Sequence, residues 1–201
     1  GHLWIGTHGG GISQYDGLVF QSLRARDGLA HNTVHSIHQD TQGDLWFATQ
    51  AGITRYRPRA SRPTVSAWSD TSRTLYALES EKVYQLSEDV RFGFDGVSLK
   101  TRPDQIAYAY RLVGHQEEWK WTRKHEIVYK DLPVGEYQFE VQAVDRDLNY
   151  SQIPAIVPIK VQFNYWVAFS GAAIVIGLIA AVYTTVSNRL KFRRAEQARI
   201  Q

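Results

Sequence analysis

Apolar and polar residues alternate in short runs through most of this chain, which is the period of half-buried strands. The strictest case is residues 137–144, where Tyr137, Phe139, Val141 and Ala143 fall on one face. Similar runs at 64–68, 75–78, 82–86, 90–94, 107–112, 119–121, 127–129 and 156–163 predict further strands, spaced as in a β-sandwich. The alternation stops once. From Val161 to Asn188 no residue is charged, and residues 166–186 are almost uniformly apolar. That run predicts a helix of about the length that crosses a bilayer.

The first quarter repeats itself. Gly1-His2-Leu3-Trp4-Ile5-Gly6-Thr7 corresponds to Gly43-Asp44-Leu45-Trp46-Phe47-Ala48-Thr49, and Gly11-Ile12-Ser13-Gln14-Tyr15 to Gly52-Ile53-Thr54-Arg55-Tyr56. Each unit reads as a hairpin ending in Tyr, with a preceding strand at 34–40 and an outer strand at 18–20. Short strands recurring at this spacing are the signature of β-propeller blades. The two units are too few to close a ring, so the propeller is expected to continue upstream. Trp4, Trp46, Tyr110 and Phe139, at alternating positions, are expected in the core.

The Gly-x-Leu-Trp-Ile-Gly-Thr, Gly-Ile-x-x-Tyr, Asp-Gly-Leu and His-Asn-x-Val-x-x-Ile elements of residues 1–57 resemble the two-component regulator propeller repeat. In that family such blades form the extracytoplasmic sensor of bacterial receptors. A linker rich in Pro and Arg follows at 58–63. Residues 64–163 then resemble the triple-tyrosine domain through Tyr110-x-Leu112-x-Gly114, Trp119 and Tyr129-x-x-Leu132-x-x-Gly135-x-Tyr137-x-Phe139-x-Val141-x-Ala143. That resemblance implies an immunoglobulin-like sandwich. Asp147-Leu148-Asn149-Tyr150-Ser151 departs modestly from the family's closing motif. The expected fold class is therefore mainly β: partial propeller blades, an immunoglobulin-like β-sandwich, then one transmembrane helix at 165–187 and a basic cytoplasmic juxtamembrane helix at 188–201.

Charge orients this layout. Five of the 23 Lys and Arg but one of the 20 Asp and Glu lie beyond residue 188, leaving the preceding part close to neutral. The basic balance is thus a juxtamembrane cluster rather than a nucleic-acid footprint, and it is expected on the cytoplasmic side. The expectation is a single-pass protein of a bacterial inner membrane with residues 1–160 in the periplasm. There is no Cys, which excludes a disulfide framework and thiolate metal sites. There is no Met either, so a start codon and an export signal are expected upstream.

Candidate chemistry is sparse. His35 and His38 would point to opposite faces of a strand, and with His31 they read as blade-surface residues rather than metal ligands. His2, His8, His115 and His125 are scattered. Glu117-Glu118 reads as a solvated turn, and Gly9-Gly10-Gly11 lacks the Lys and Ser/Thr of a phosphate loop. No catalytic residue, metal ligand or cofactor is assigned. The residues expected to matter are relay residues, Phe163, Tyr165 and Trp166, at the join between the last strand and the helix. The functional expectation is a sensor and transmembrane relay of a homodimeric receptor, with an unidentified ligand for which an oligosaccharide is one candidate. Its output region, a histidine kinase or a diguanylate cyclase as in relatives, would follow. A membrane-anchored adhesion or scaffold protein and an anchored extracytoplasmic hydrolase are the alternatives.

Overall fold

The computed structural model describes residues 1–58, 61–69, 82–163 and 175–188. Its strands in chain order are β1 (Leu3–Gly6), β2 (Ile12–Tyr15), β3 (Phe20–Leu23), β4 (Val34–Gln39), β5 (Leu45–Thr49), β6 (Gly52–Tyr56), β7 (Thr64–Ser69), β8 (Lys82–Gln85), β9 (Val90–Val97), β10 (Ala107–Val113), β11 (Gln116–Thr122), β12 (Glu126–Tyr129), β13 (Gly135–Val144) and β14 (Ala155–Gln162). The strand expected at 75–78 lies outside the described residues. The outer strand expected at 18–20 begins only at Phe20, because Asp16 Oδ1 accepts the N–H groups of Leu18 and Val19 and folds them into a turn.

β13 is the axis of the larger half. It pairs antiparallel with β10 on one side and β14 on the other, in a sheet of order β11-β10-β13-β14-β8. A second sheet, β12-β9-β7, covers one face of it. Strict alternation sends Tyr137, Phe139, Val141 and Ala143 into the space between the sheets, where all are buried. Phe139 is fully buried, stacked on Phe92 with ring centroids 4.2 Å apart, and Phe94 and Tyr110 flank it at 5.9 and 6.1 Å. Trp68 lies so close over Gly93 that a Cβ there would stand 2.4 Å from the indole, so this strand position accepts only glycine.

The repeats form two three-stranded antiparallel sheets, β1-β2-β3 and β4-β5-β6. They are stitched by the Val34 N–H donating to Thr7 C=O at 3.0 Å and by a shared core of Ile12, Leu23, Leu29, Leu45 and Phe47. Trp4 joins that core, edge-on to Tyr56 at 5.5 Å. Its repeat counterpart Trp46 does not. Leu45 and Phe47 take the inward face of β5, and period two turns Trp46 out, 37% exposed, beneath the Arg55 guanidinium. The expectation of a core Trp46 is corrected on that ground. Stacked sheets bury opposite faces, so equivalent residues of neighbouring repeats lie on different sides of the contact.

The last element of the expected fold class is overturned. The described helical residues are 175–188, about 21 Å at 1.5 Å per residue, against a hydrocarbon layer of about 30 Å. Among the described residues no helix is long and apolar enough to cross a membrane. The hydroxyls of Thr184 and Thr185 donate to the Ala181 carbonyl at 2.9 and 2.6 Å, within the helix itself. Apolarity of the run foretold a helix, and residues 175–188 are helical. The basic helix expected at 188–201 lies beyond the described residues apart from residue 188.

Gly1–Val161 form one compact unit and Gln162–Gln201 another. Replacing Phe139 by Ala is expected to cost about 3–5 kcal/mol, because it empties the centre of the sandwich; chemical denaturation measures it. Residues 1–57 expressed alone are expected to show no cooperative thermal transition, since Val19, fully buried here, rests on Ala107, Ala109 and Val144 of the sandwich.

Candidate functional site: the joint between the repeats and the sandwich

The turn between β2 and β3 is a short loop with an apolar tip. Asp16 accepts the Leu18 and Val19 N–H groups at 2.9 and 2.8 Å, which aims Val19 outward from its own sheet. Val19 enters a pocket on the outer face of the five-stranded sheet, made by Ala107, Ala109, Val144 and Leu148. The small alanines of β10 leave the space that Val19 fills. Around this apolar plug runs a ring of hydrogen bonds. Tyr150 donates to Asp16 Oδ2 at 2.6 Å, and Gln21 Nε2 donates to the carbonyls of Gln105 and Val144, both at 3.2 Å. Arg123 donates to Phe20 C=O at 3.0 Å and to Gln21 Oε1 at 3.2 Å. Gln14 Nε2 donates to the Arg146 carbonyl.

The loop between β13 and β14 supplies the sandwich side. Asp145 is fully buried, and its Oδ1 accepts the N–H groups of Asp147 and Asn149 at 2.8 and 2.9 Å. Leu148 takes the left-handed conformation, φ 56°, that closes this turn. Lys100 Nζ bridges the pair, 3.0 Å from Asp145 Oδ2 and 2.7 Å from Asp147 Oδ2. Tyr56, at the end of the second repeat, donates its hydroxyl to the other oxygen of Asp147. Burial, reinforced by that carboxylate, raises the Tyr56 pKa far above the usual tyrosine range. Burial raises Tyr150 likewise, helped by Asp16. Burial pushes the Asp16 carboxyl up, but the bonds from Tyr150, Val19 and Leu18 outweigh it and the net shift is downward. Both tyrosines therefore stay donors, and Asp16 an acceptor, around neutral pH.

The second repeat has its own internal ion cluster. Asp44, with a side chain only 3% exposed, takes Arg55 Nε at 2.6 Å and Arg57 Nε at 2.7 Å. The Arg57 bond, set against burial and helped by Arg55, brings the Asp44 carboxyl down from 3.8 to about 2. This bracing holds the chain where it leaves β6.

The residues singled out in the sequence lie elsewhere. His31 Nδ1 accepts the Thr33 N–H at 3.0 Å, while His35 and His38 are exposed on β4. Among the described residues no group of three or more His, Cys, Asp or Glu is placed to hold a metal. Glu117 and Glu118 lie in the edge strand β11 rather than in the expected turn, and Glu117 accepts the Gly114 N–H at 3.1 Å. Gly9-Gly10-Gly11 is the β1–β2 turn, and a Cβ on Gly11 would meet the Leu23 carbonyl oxygen at 2.1 Å. Phe163 follows β14 and is 45% exposed; Tyr165 and Trp166 lie outside the described residues. The joint residues Gln14, Gln21, Tyr56, Lys100, Asp145 and Asp147 were missed. A signal existed: Gln14 and Gln21 sit at inward strand positions where alternation calls for apolar side chains, and both are buried.

Residues 28–51 match the family described as Two component regulator propeller, and residues 100–162 match the Y_Y_Y domain. The chain carries a two component regulator propeller repeat followed by a Y_Y_Y domain. Histidine kinase P4 of Formosa agariphila is 22% identical over 256 residues, which cover 93% of this chain and 19% of that protein. This chain thus spans about a fifth of the length of the curated relative it matches. Among solved structures, an extracellular domain assigned to a hybrid two component system of B. thetaiotaomicron matches at TM-score 0.47 and 20% identity, over 80% of this chain and 25% of that one. Fibronectin(III)-like modules of Clostridium thermocellum match at TM-score 0.40 and 13% identity, over 81% and 94%.

The Asp44 cluster has a pH signature. A carboxylate whose pKa falls on folding adds stability above its unfolded pKa and loses it as pH drops through the folded value. The stability difference between the wild type and Asp44→Asn is therefore expected to be constant above about pH 4 and to vanish towards about pH 2. Denaturant midpoints across that range measure it.

Proposed function

We propose that this chain is the extracytoplasmic sensor part of a bacterial signal-transduction receptor whose output region, a histidine kinase, lies outside these residues. The observation that carries the reading is the joint. A regulator propeller repeat is joined to a Y_Y_Y domain by a buried apolar plug and a set of hydrogen bonds around it, within one compact unit. A rearrangement of the repeats would strain these bonds or carry the sandwich with it. The kinase output is supported by the relative from Formosa agariphila, a histidine kinase much longer than the region matched here. A ligand would shift such a receptor between two states by binding one of them more tightly. The repeats are its natural receiving surface, and an extended saccharide is the class suggested by their exposed aromatics, Trp46 and Phe20 among them.

Two measurements on the parent protein test the reading. A reporter active only in the periplasm, fused after residue 150, is expected to work; an inactive fusion that is nevertheless stably produced overturns the extracytoplasmic assignment. Purified parent protein incubated with ATP is expected to acquire acid-labile histidine phosphate. Its absence from a folded preparation overturns the kinase output and leaves the location untouched.

A further inference from the structure

The terminal tyrosine of the repeat does two different jobs. In the first repeat Tyr15 donates to Gly17 C=O at 2.6 Å and stacks on Phe20 with centroids 4.1 Å apart, so it stays within its own sheet. In the second repeat the equivalent Tyr56 leaves its sheet and donates to Asp147. The loop that receives it is tied to both repeats. Its Arg146 carbonyl takes Gln14, its Asp147 takes Tyr56, and its Tyr150 grips Asp16. The loop is also cross-braced internally. The Asp145 N–H donates to Asn149 C=O, the Leu148 N–H returns to Asp145 C=O, both at 3.1 Å, and the Asp145 carboxylate takes two further N–H groups. A loop so braced moves as a body. It follows β13, and residues 151–154 carry the chain on to β14, the strand that ends at Gln162.

We propose that the 145–150 loop is a rigid coupling that carries displacement of the two repeats into β14, with Tyr56 as the positioning residue that engages it. This rests on the sensor reading above and names its mechanical element. Tyr56 acts through Asp147, and Lys100 holds that carboxylate in place from the opposite side. Loss of the Tyr56 hydroxyl removes one tether and leaves Asp147 Oδ1 only the Arg146 Nε, 3.7 Å away, so the loop and the strand it feeds loosen together.

Hydrogen exchange followed by mass spectrometry on the whole chain tests this, with Tyr15→Phe as the internal comparison at the same repeat position. Tyr56→Phe and Asp147→Asn are each expected to speed amide exchange in residues 155–162 by roughly five- to ten-fold, the loss of about one buried hydrogen bond. The double variant is expected to fall short of the sum of the two single ones, because both residues share the Tyr56–Asp147 contact. Tyr15→Phe should leave those amides within about two-fold of wild type. Should Tyr56→Phe fail to fold, Tyr150→Phe, which cuts the tether to Asp16, is expected to give the same acceleration. Unchanged exchange at 155–162 in a folded Tyr56→Phe protein, an equal response to Tyr15→Phe, or additive effects in the double variant would each overturn the coupling. No ligand or kinase assay enters, so such a result leaves the sensor reading to its own tests.

Discussion

A buried carboxylate must be answered, and in this protein two of them sit side by side. Asp145 and Asp147 stand at the end of β13 with almost no access to water. Leaving either unpaired would cost several kcal/mol. The Lys100 ammonium, the N–H groups of the loop and the Tyr56 hydroxyl together satisfy them. Tyr56 comes from a repeat and Lys100 from the sandwich, so the need to satisfy one carboxylate pair draws separate stretches of chain into one unit. The neighbouring bonds from Gln14, Gln21 and Tyr150 close the same seam.

The apolar side of that seam is small and specific. Val19 buries itself fully, yet it does so only because two alanines on β10 leave room and Asp16 holds the turn that presents it. The sandwich core beneath is larger and conventional, with Phe92, Phe94, Tyr108 and Phe139 supplying most of its area. Stability thus resides mainly in the aromatic core, whereas the relation between repeats and sandwich rests on a few groups.

The repeats show how one sequence pattern yields two environments. Trp4 and Trp46 occupy the same place in their units, but Trp4 packs on Phe47 and Tyr56 while Trp46 faces outward and donates to Asp40 at 2.8 Å. Stacked sheets must bury opposite faces, so identical residues meet different neighbours. Tyr15 and Tyr56 diverge for a related reason. The second has the sandwich loop within reach, and the first closes on its own turn.

Much of this was legible in the residues alone. Period-two alternation located the strands of the sandwich to within a few residues, because a strand with one buried face has no other way to distribute its side chains. The 42-residue self-similarity revealed the hairpins, and the triple-tyrosine pattern marked the domain that follows them. Helix at 175–188 was legible from the uniformly apolar run. The joint was illegible. Gln14 and Arg146, or Tyr56 and Asp147, are far apart in sequence and carry no shared motif. Local sequence determined the strands and the repeat because those depend on neighbours along the chain. Only the tertiary structure decided which carboxylate meets which tyrosine, because that depends on where two sheets come to rest.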